Sequence, residues 1–479
     1  MYQKSRFAIY TGIFAVFYTF CFYKNLEGVT FSLFVIGALV YISLCLMEFS
    51  VARKKDTTFF AIVAVLIGLS HPLTDNGFVH IFNFIFGFAI LIYIVMHQFA
   101  NDERWTFFTT VENFFKTICG AVGKIDAPFR DIALYKKAKK ENTVEPTIKD
   151  KRKQKVGMIV ITMAAILPAL MFVTLILSSA DLIFKNMLNT IWYNLFNWPI
   201  ELTFCYKIAS LTIAVFLLAY GLFSYLKKKP FSEEIKEAKT HDATVAITAG
   251  IMFDAVYLNF SMIQRLYLFI GKLSLPNNVS YAEYARKGFF QVLFVCVLNL
   301  VIVLIGKTRF KENRLLKIVL TVMCACTYIM IASSALRLVM YIRYYYFSFL
   351  RMLAFWALTV VFILLTGILI HVWTDKVNLF KFSLRVILVA YTVLALSHID
   401  YFVAELNMSQ TRNNSDFFIS KNYDDYEYVL RSTCLDAAPV IEKYDFDNKT
   451  YYYNRNDIDN EITFRNFNLS RYIAKKNMK

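Results

Sequence analysis

The chain has 479 residues, 58% of them hydrophobic, against about 45–50% apolar in soluble globular chains, which places it among membrane proteins. Its net charge of +17 raises nucleic acid as a partner, but the basic residues sit in short loops between apolar runs, which writes topology and not a nucleic-acid face. The eight cysteines contain no CxxC, so neither a zinc site nor a disulfide framework is supported, and no cofactor motif occurs.

A helix crossing roughly 30 Å of hydrocarbon needs about 20 apolar residues, and runs near that length recur along the chain. Phe7 to Tyr23 is the first and reads as a retained helix; Val29 to Phe49 is the second, followed by Arg53, Lys54 and Lys55. Phe59 to Ser70 is a short third that ends at His71-Pro72, and Phe78 to Phe99 is the fourth. Residues 101–155 form a basic loop with thirteen Lys/Arg. Within it, Phe107, Val111, Phe114, Ile118 and Val122 draw one apolar stripe on a helix expected to lie on the membrane surface. The charge run after it reads as a solvated linker, with docking to anionic lipid or protein as the alternative.

Val156 to Ser178 is the fifth span, and the Trp192 and Trp198 region after it reads as an interfacial helix. Tyr206 to Leu226, Ala243 to Gly271, Phe289 to Gly306, Ile318 to Val339, Met352 to Trp373 and Leu384 to Ile399 complete eleven spans. Roughly thirty Lys/Arg fall on the side of the amino terminus, which is therefore expected in the cytoplasm, with the tail outside. The expected fold is an all-α polytopic bundle: a four-span segment (1–100), a basic cytoplasmic loop (101–155), a seven-span core (156–399) and a small extracytoplasmic domain (400–479). In the tail, Tyr426, Val429, Leu430 and Thr433 form a helical stripe stopping before Pro439, residues 446–464 suit a hairpin, and Asn468 or Ser470 caps a last helix.

Two groups of polar residues are expensive beside lipid and mark candidate sites. On the seventh helix Asp254, Ser261, Arg265 and Lys272 share one face, a possible transport path; the alternative pairs Asp254 with a neighbouring helix and sends Arg265 toward headgroups. At the outer surface Glu283, Arg286, Lys287, Arg337, Tyr341 and Arg351 form a candidate ligand-binding group, with guanidinium groups suited to phosphate or carboxylate. The competing reading has these arginines clamp the acidic tail through Asp400, Glu405, Asp424, Asp425, Glu427 or Asp436. The six histidines lack metal spacing, the Asp-rich turns at Asp445 and Asp457 suit turns better than a cation, and no nucleophile elbow or phosphate loop is present.

The stretches "SYAEYARKGFFQVLFVCVLNL", "SALRLVMYIRYYYFSFLRML", "DYFVAELN", "YDDYEYVLRSTCLDAAP" and "FRNFNLSRYIAKK" occur in this order. They resemble landmarks of a bacterial multi-pass family, domain of unknown function 4173, with its relative 4153, over residues 160 to 479. The resemblance implies an integral membrane protein and carries over no catalytic residue. Where the family has Tyr-Gly-Leu-Thr this chain has Tyr345, Tyr346, Phe347 and Ser348, which puts a Gly-dependent turn in question. The expected function is a non-enzymatic binding, signalling or accessory module of a bacterial cytoplasmic membrane. Its expected partners are the bilayer, anionic lipid headgroups and an envelope protein. Transport along the seventh helix, and an envelope enzyme with Glu283 as acid or base, are the alternatives.

Overall fold

The computed structural model describes residues 2–102, 105, 107–141, 202–228, 231, 241–264, 281–374, 378–412, 418, 423–445, 452–453 and 461–478. Helices dominate: α1 (Tyr2–Phe22), α2 (Val29–Glu48), α3 (Thr57–Ser70), α4 (Gly77–Phe99), α5 (Phe107–Val122), α6 (Ala127–Glu141), α7 (Leu202–Leu226) and α8 (Ala243–Gln264). The second half adds α9 (Tyr281–Arg309), α10 (Arg314–Tyr345), α11 (Phe349–Trp373) and α12 (Leu379–Leu396). The tail contributes α13 (Ile399–Arg412), α14 (Tyr423–Arg431), a 3-10 turn (Leu435–Ala437), α15 (Ala438–Lys443) and α16 (Leu469–Met478). Among the described residues the one β interaction is an isolated bridge between His241 and Phe310.

Eight of these helices, α2, α4 and α7 to α12, are long and apolar enough to cross a membrane. Asparagines start three of them. Asn76, Asn313 and Asn378 each accept backbone N–H bonds of the first turn of α4, α10 and α12, donors the helix itself leaves unpaired. The expected total of eleven spans is not reached by length and composition. α1 contributes a shorter apolar stretch, α3 has 14 residues and so rises only about 21 Å, and Val156 to Ser178 lies outside the described residues. The Trp192 and Trp198 region lies outside them as well, and α8 is described only to Gln264.

The bundle has two chemically distinct ends. At one, Lys381 and Arg385 of α12 both meet Asp56 before α3, and Lys54 meets Asp102 after α4. We call it the basic end. At the other, the loops 23–28 and 71–76 and the α10–α11 break at Tyr346 meet the tail.

Two apolar cores fill the bundle. The first joins α1 to α4 with α7 and α12, and is rich in rings such as Phe31 and Phe84, 4.8 Å apart. The second joins α8 to α11 and runs without interruption into the tail through Val403, Leu430, Leu435 and Ile441. Lipid tails are as apolar as leucine, so close helix approach depends on small residues. At Gly221 of α7 an added Cβ would stand 2.4 Å from the carbonyl oxygen of Ala121 on α5.

In the tail, Val429 and Leu430 are buried as the stripe requires. The helix carrying that stripe stops at Arg431, before Pro439, and Pro439 lies in the first turn of the next helix, α15, where its missing N–H is harmless. Asn468 caps α16 by accepting from the Arg471 amide. Tyr452 and Tyr453 are helical instead of extended, and the rest of the expected hairpin outside residues 461–464 is not among the described residues.

Gly221→Leu should push α5 off α7 and lower stability by about 1–3 kcal/mol, read as a lower thermal midpoint in detergent. An unchanged midpoint would mean that this close approach does not exist.

Candidate functional site

The polar face foreseen on the seventh helix is buried inside the bundle. On α8, Ala243, Ile247, Gly250, Asp254, Tyr257, Ser261 and Gln264 are the buried positions, a spacing of alternating four and three residues that gives one continuous seam. Gly250 meets Val319 and Gln264 meets Ser333, so α8 and α10 run parallel in matched register. Gln264 Oε1 accepts from Ser333 Oγ at 2.7 Å and from Arg337 Nη2 at 2.9 Å. On α9, Asn299 donates to Thr327 of α10 at 3.0 Å. Asp254 is 6% exposed, and its Oδ1 has no hydrogen-bond partner among the described residues. The structure thus brings Asp254 and Ser261 into one interface with Arg337, and adds Gln264, Asn299, Thr327 and Ser333. Arg265 and Lys272 lie outside the described residues.

Arg337 and Arg351 do not share one helix face as the spacing suggested. Arg337 is 5% exposed and belongs to the seam. Ser348 and Arg351 lie beyond a break, because α10 stops at Tyr346, with φ 66 and ψ 172. That left-handed backbone favours glycine and costs of order 1–3 kcal/mol elsewhere, so the turn survives without its glycine. Its surroundings hold it. Asn407 of α13, fully buried, accepts from the Phe347 amide and donates to the Phe347 carbonyl, both at 2.9 Å. Arg351 donates to the carbonyls of Tyr345 and Tyr346, its guanidinium 4.3 Å from the Tyr341 ring centroid, and the Tyr346 ring packs 4.6 Å from Phe418. Arg351 and Tyr341 therefore brace a turn. Glu283, Arg286 and Lys287 lie in the first turns of α9.

Asp400, Glu405, Glu427 and Asp436 meet residues other than Arg337 and Arg351, while the side chains of Asp424 and Asp425 lie outside those described. Asp436, in the 3-10 turn, is 5% exposed; it accepts from the Thr74 hydroxyl and from the Asp75 amide at 2.8 Å, and stands 3.5 Å from His398 Nδ1. Asp400 accepts from Asn76 Nδ2 at 2.7 Å, the same side chain that caps α4. Glu405 meets Lys443 and Tyr444, and Glu427 meets Arg431 within α14. From α16, Arg471 reaches Asp75 at 2.6 Å and Glu27 at 2.5 Å. The Leu469 amide donates to Pro72 O, Asn468 to Thr74 O and Ser470 to Leu73 O, at 2.7, 2.7 and 2.8 Å. Gly28, at φ 85, presses against the backbone of Asn466 so closely that an added Cβ would lie 2.5 Å from its carbonyl carbon. Sequence reasoning missed Thr74, Asp75, Asn76 and Arg471; the polar run between two apolar spans was the one available signal.

Burial and hydrogen bonding set the charges in this latch. Burial works to raise the Asp436 carboxyl, but bonds from His398, Ser470, Thr74 and the Asp75 amide outweigh it and hold the group below the usual carboxylate range. Burial raises Asp400 despite its bonds from Cys434 and Asn76, and raises Asp75 to about 6 despite Arg471. His398 is raised, chiefly by its bond to Asp436. Burial, then Asp400 and Asp436, push the Cys434 thiol well up, which removes the thiolate a cysteine nucleophile needs. Beside the latch lies a cleft of about 480 Å³ lined by His398, Asp436, Ser470, Leu73, Phe402 and Ile473. The chemistry offered here is tail docking and proton uptake.

Two outcomes follow. Asn407→Ala should cost about 2–3 kcal/mol, because two bonds go and buried backbone groups lose partners; thermal unfolding checks it. For pH, groups whose folded value is raised contribute stability below their unfolded value and lose it as pH rises through the folded one. Asp75, Asp400 and His398 all shift that way, while lowered Asp436 acts only in strong acid. Raising pH from 5 to 8 should therefore loosen the tail, seen as several-fold faster proteolytic release, and His398→Gln should remove the part above about pH 6.5.

No curated protein and no solved structure matches the chain. The family described as domain of unknown function DUF4153 matches residues 61–444, most of the chain. That match starts about 100 residues before the stretch carrying the resemblance and takes in the latch turn and part of each core. The all-helical bundle, its eight membrane-length helices and this match agree, and the chain is a member of the DUF4153 family.

Proposed function

We propose that this protein is a non-enzymatic binding module of a bacterial cytoplasmic membrane, with its basic end in the cytoplasm and its tail outside. The tail engages an envelope partner or ligand and passes its state into the bundle. The observation that carries this reading is the position of Asp436. Its turn belongs to the second core, while its hydrogen bonds hold the loop between α3 and α4 in the first. A partner that moves the turn therefore acts on both cores at once. The basic residues gathered at the opposite end support the orientation.

Transport is a second reading, favoured by Asp254, a buried carboxyl between α8 and α10 whose Oδ1 has no hydrogen-bond partner among the described residues. Ionisable groups inside a bundle commonly mark solute or proton paths.

To test the first reading, wild type and Asp436→Ala are purified from the native host in mild detergent, and bound proteins and lipids are identified by mass spectrometry. A stoichiometric companion of the wild type that the variant loses is the expected result. A wild-type protein that retains neither protein nor anionic lipid refutes the reading, and solute flux abolished by Asp254→Asn would install transport in its place.

A further inference from the structure

On α5 the usual sidedness of a surface helix is inverted. Thr110, Asn113, Thr117 and Ala121 are buried, whereas Val111, Phe115, Ile118 and Val122 are exposed. Past the turn Ile125 and Phe129 are exposed as well, and Phe115 is 60% exposed. Of the expected stripe, Phe114 turns instead into the first core. An apolar stripe of this length directed away from the bundle suits the boundary between headgroups and acyl chains, not water.

The stripe opens into a groove of about 300 Å³ between α4, α5 and α12, lined by Phe86, Tyr93, Val111, Phe115, Phe380 and Leu384 among others, with no polar surface. Two of its walls are membrane-length helices, so the groove continues their lipid-facing surface. Its rim is basic. Lys381 and Arg385, each next in sequence to a lining residue, share the single carboxylate of Asp56, at 3.4 and 3.2 Å, which leaves one positive charge over. Lys116 follows Phe115 on α5 and is exposed, its partner Glu112 equally so, a pairing that holds little energy in water.

We propose that this groove seats an acyl chain of an anionic phospholipid whose phosphate is held at the rim by Lys116, Lys381 and Arg385. Helix α5 is then a lipid-reading element at the basic end. Arg337 and Arg351, which the sequence suggested for a headgroup, are engaged in the seam and the Tyr346 turn.

The test uses delipidated full-length protein titrated with phosphatidylglycerol and phosphatidylcholine of identical chains, with binding read by native mass spectrometry. Wild type should prefer phosphatidylglycerol. Lys116→Gln with Arg385→Gln should erase that preference, roughly fivefold for each cation, while leaving chain binding intact. Ala89→Trp, which fills the groove, should lose both lipids. Phe115→Ala, at an exposed position where folding is safe, should weaken both if Ala89→Trp unfolds. Equal binding of the two lipids by wild type overturns the assignment. So does unchanged binding in the groove variants, or a protein found in the groove.

Discussion

A carboxylate taken out of water must find hydrogen-bond donors or give up its charge. Asp436 finds them in residues that lie more than 350 positions earlier, Thr74 and the Asp75 amide, and in His398 at the start of the tail. This one group ties the 3-10 turn to the loop between α3 and α4. The neighbouring bonds extend the tie: Asn76 caps α4 while donating to Asp400, and α16 lays its first residues along the carbonyls of Pro72, Leu73 and Thr74. Removing any member leaves buried polar groups unpaired, so the latch acts as a network.

The latch gives the two-core bundle its mechanical sense. α12 packs in the first core, yet its chain continues through His398 into α13, whose Val403, Ala404 and Met408 belong to the second. The break at Tyr346 is held from the same helix by Asn407. Strain at Tyr346 and at His398, with φ 66 and 46, is therefore concentrated where tail and bundle meet. Backbone strain persists only where surroundings over-determine it, and here the surroundings are the docked tail. Among the described residues the basic end shows no such closure; there α5 turns an apolar stripe outward.

Much of this architecture was legible in the sequence because the forces involved are local or periodic. Apolar runs located the helices now seen, and of the two caps the sequence offers for the last helix, Asn468 and Ser470, it is Asn468 that accepts the first-turn amide, since a cap depends on its own next three residues. The stripe on α5 was visible at its spacing, although the direction in which it points depends on α7 and the close approach at Gly221. Arg337 and Arg351 fall on different elements for a physical reason: the chain turns at Tyr346, and helical spacing does not carry across that turn. Their partners Gln264 and the Tyr345 and Tyr346 carbonyls could not be inferred from charge alone. The latch was illegible because Thr74, Asp75 and Arg471 join across almost the whole chain, and no local pattern encodes that meeting. The buried seam stands between these cases. Asp254 and Ser261 were placed on one face correctly, but which helix that face meets is a property of the bundle.

Hydrogen exchange at two backbone amides tests the docked tail most directly. The Leu469 amide donates to Pro72 O, and the Asp75 amide to Asp436 Oδ1. In the intact protein in detergent at mildly acidic pH both should exchange far more slowly than free peptide and should lose protection together. Exchange of both at free-peptide rates would contradict the latch, and protection of one without the other would show that tail and loop are not held as a unit.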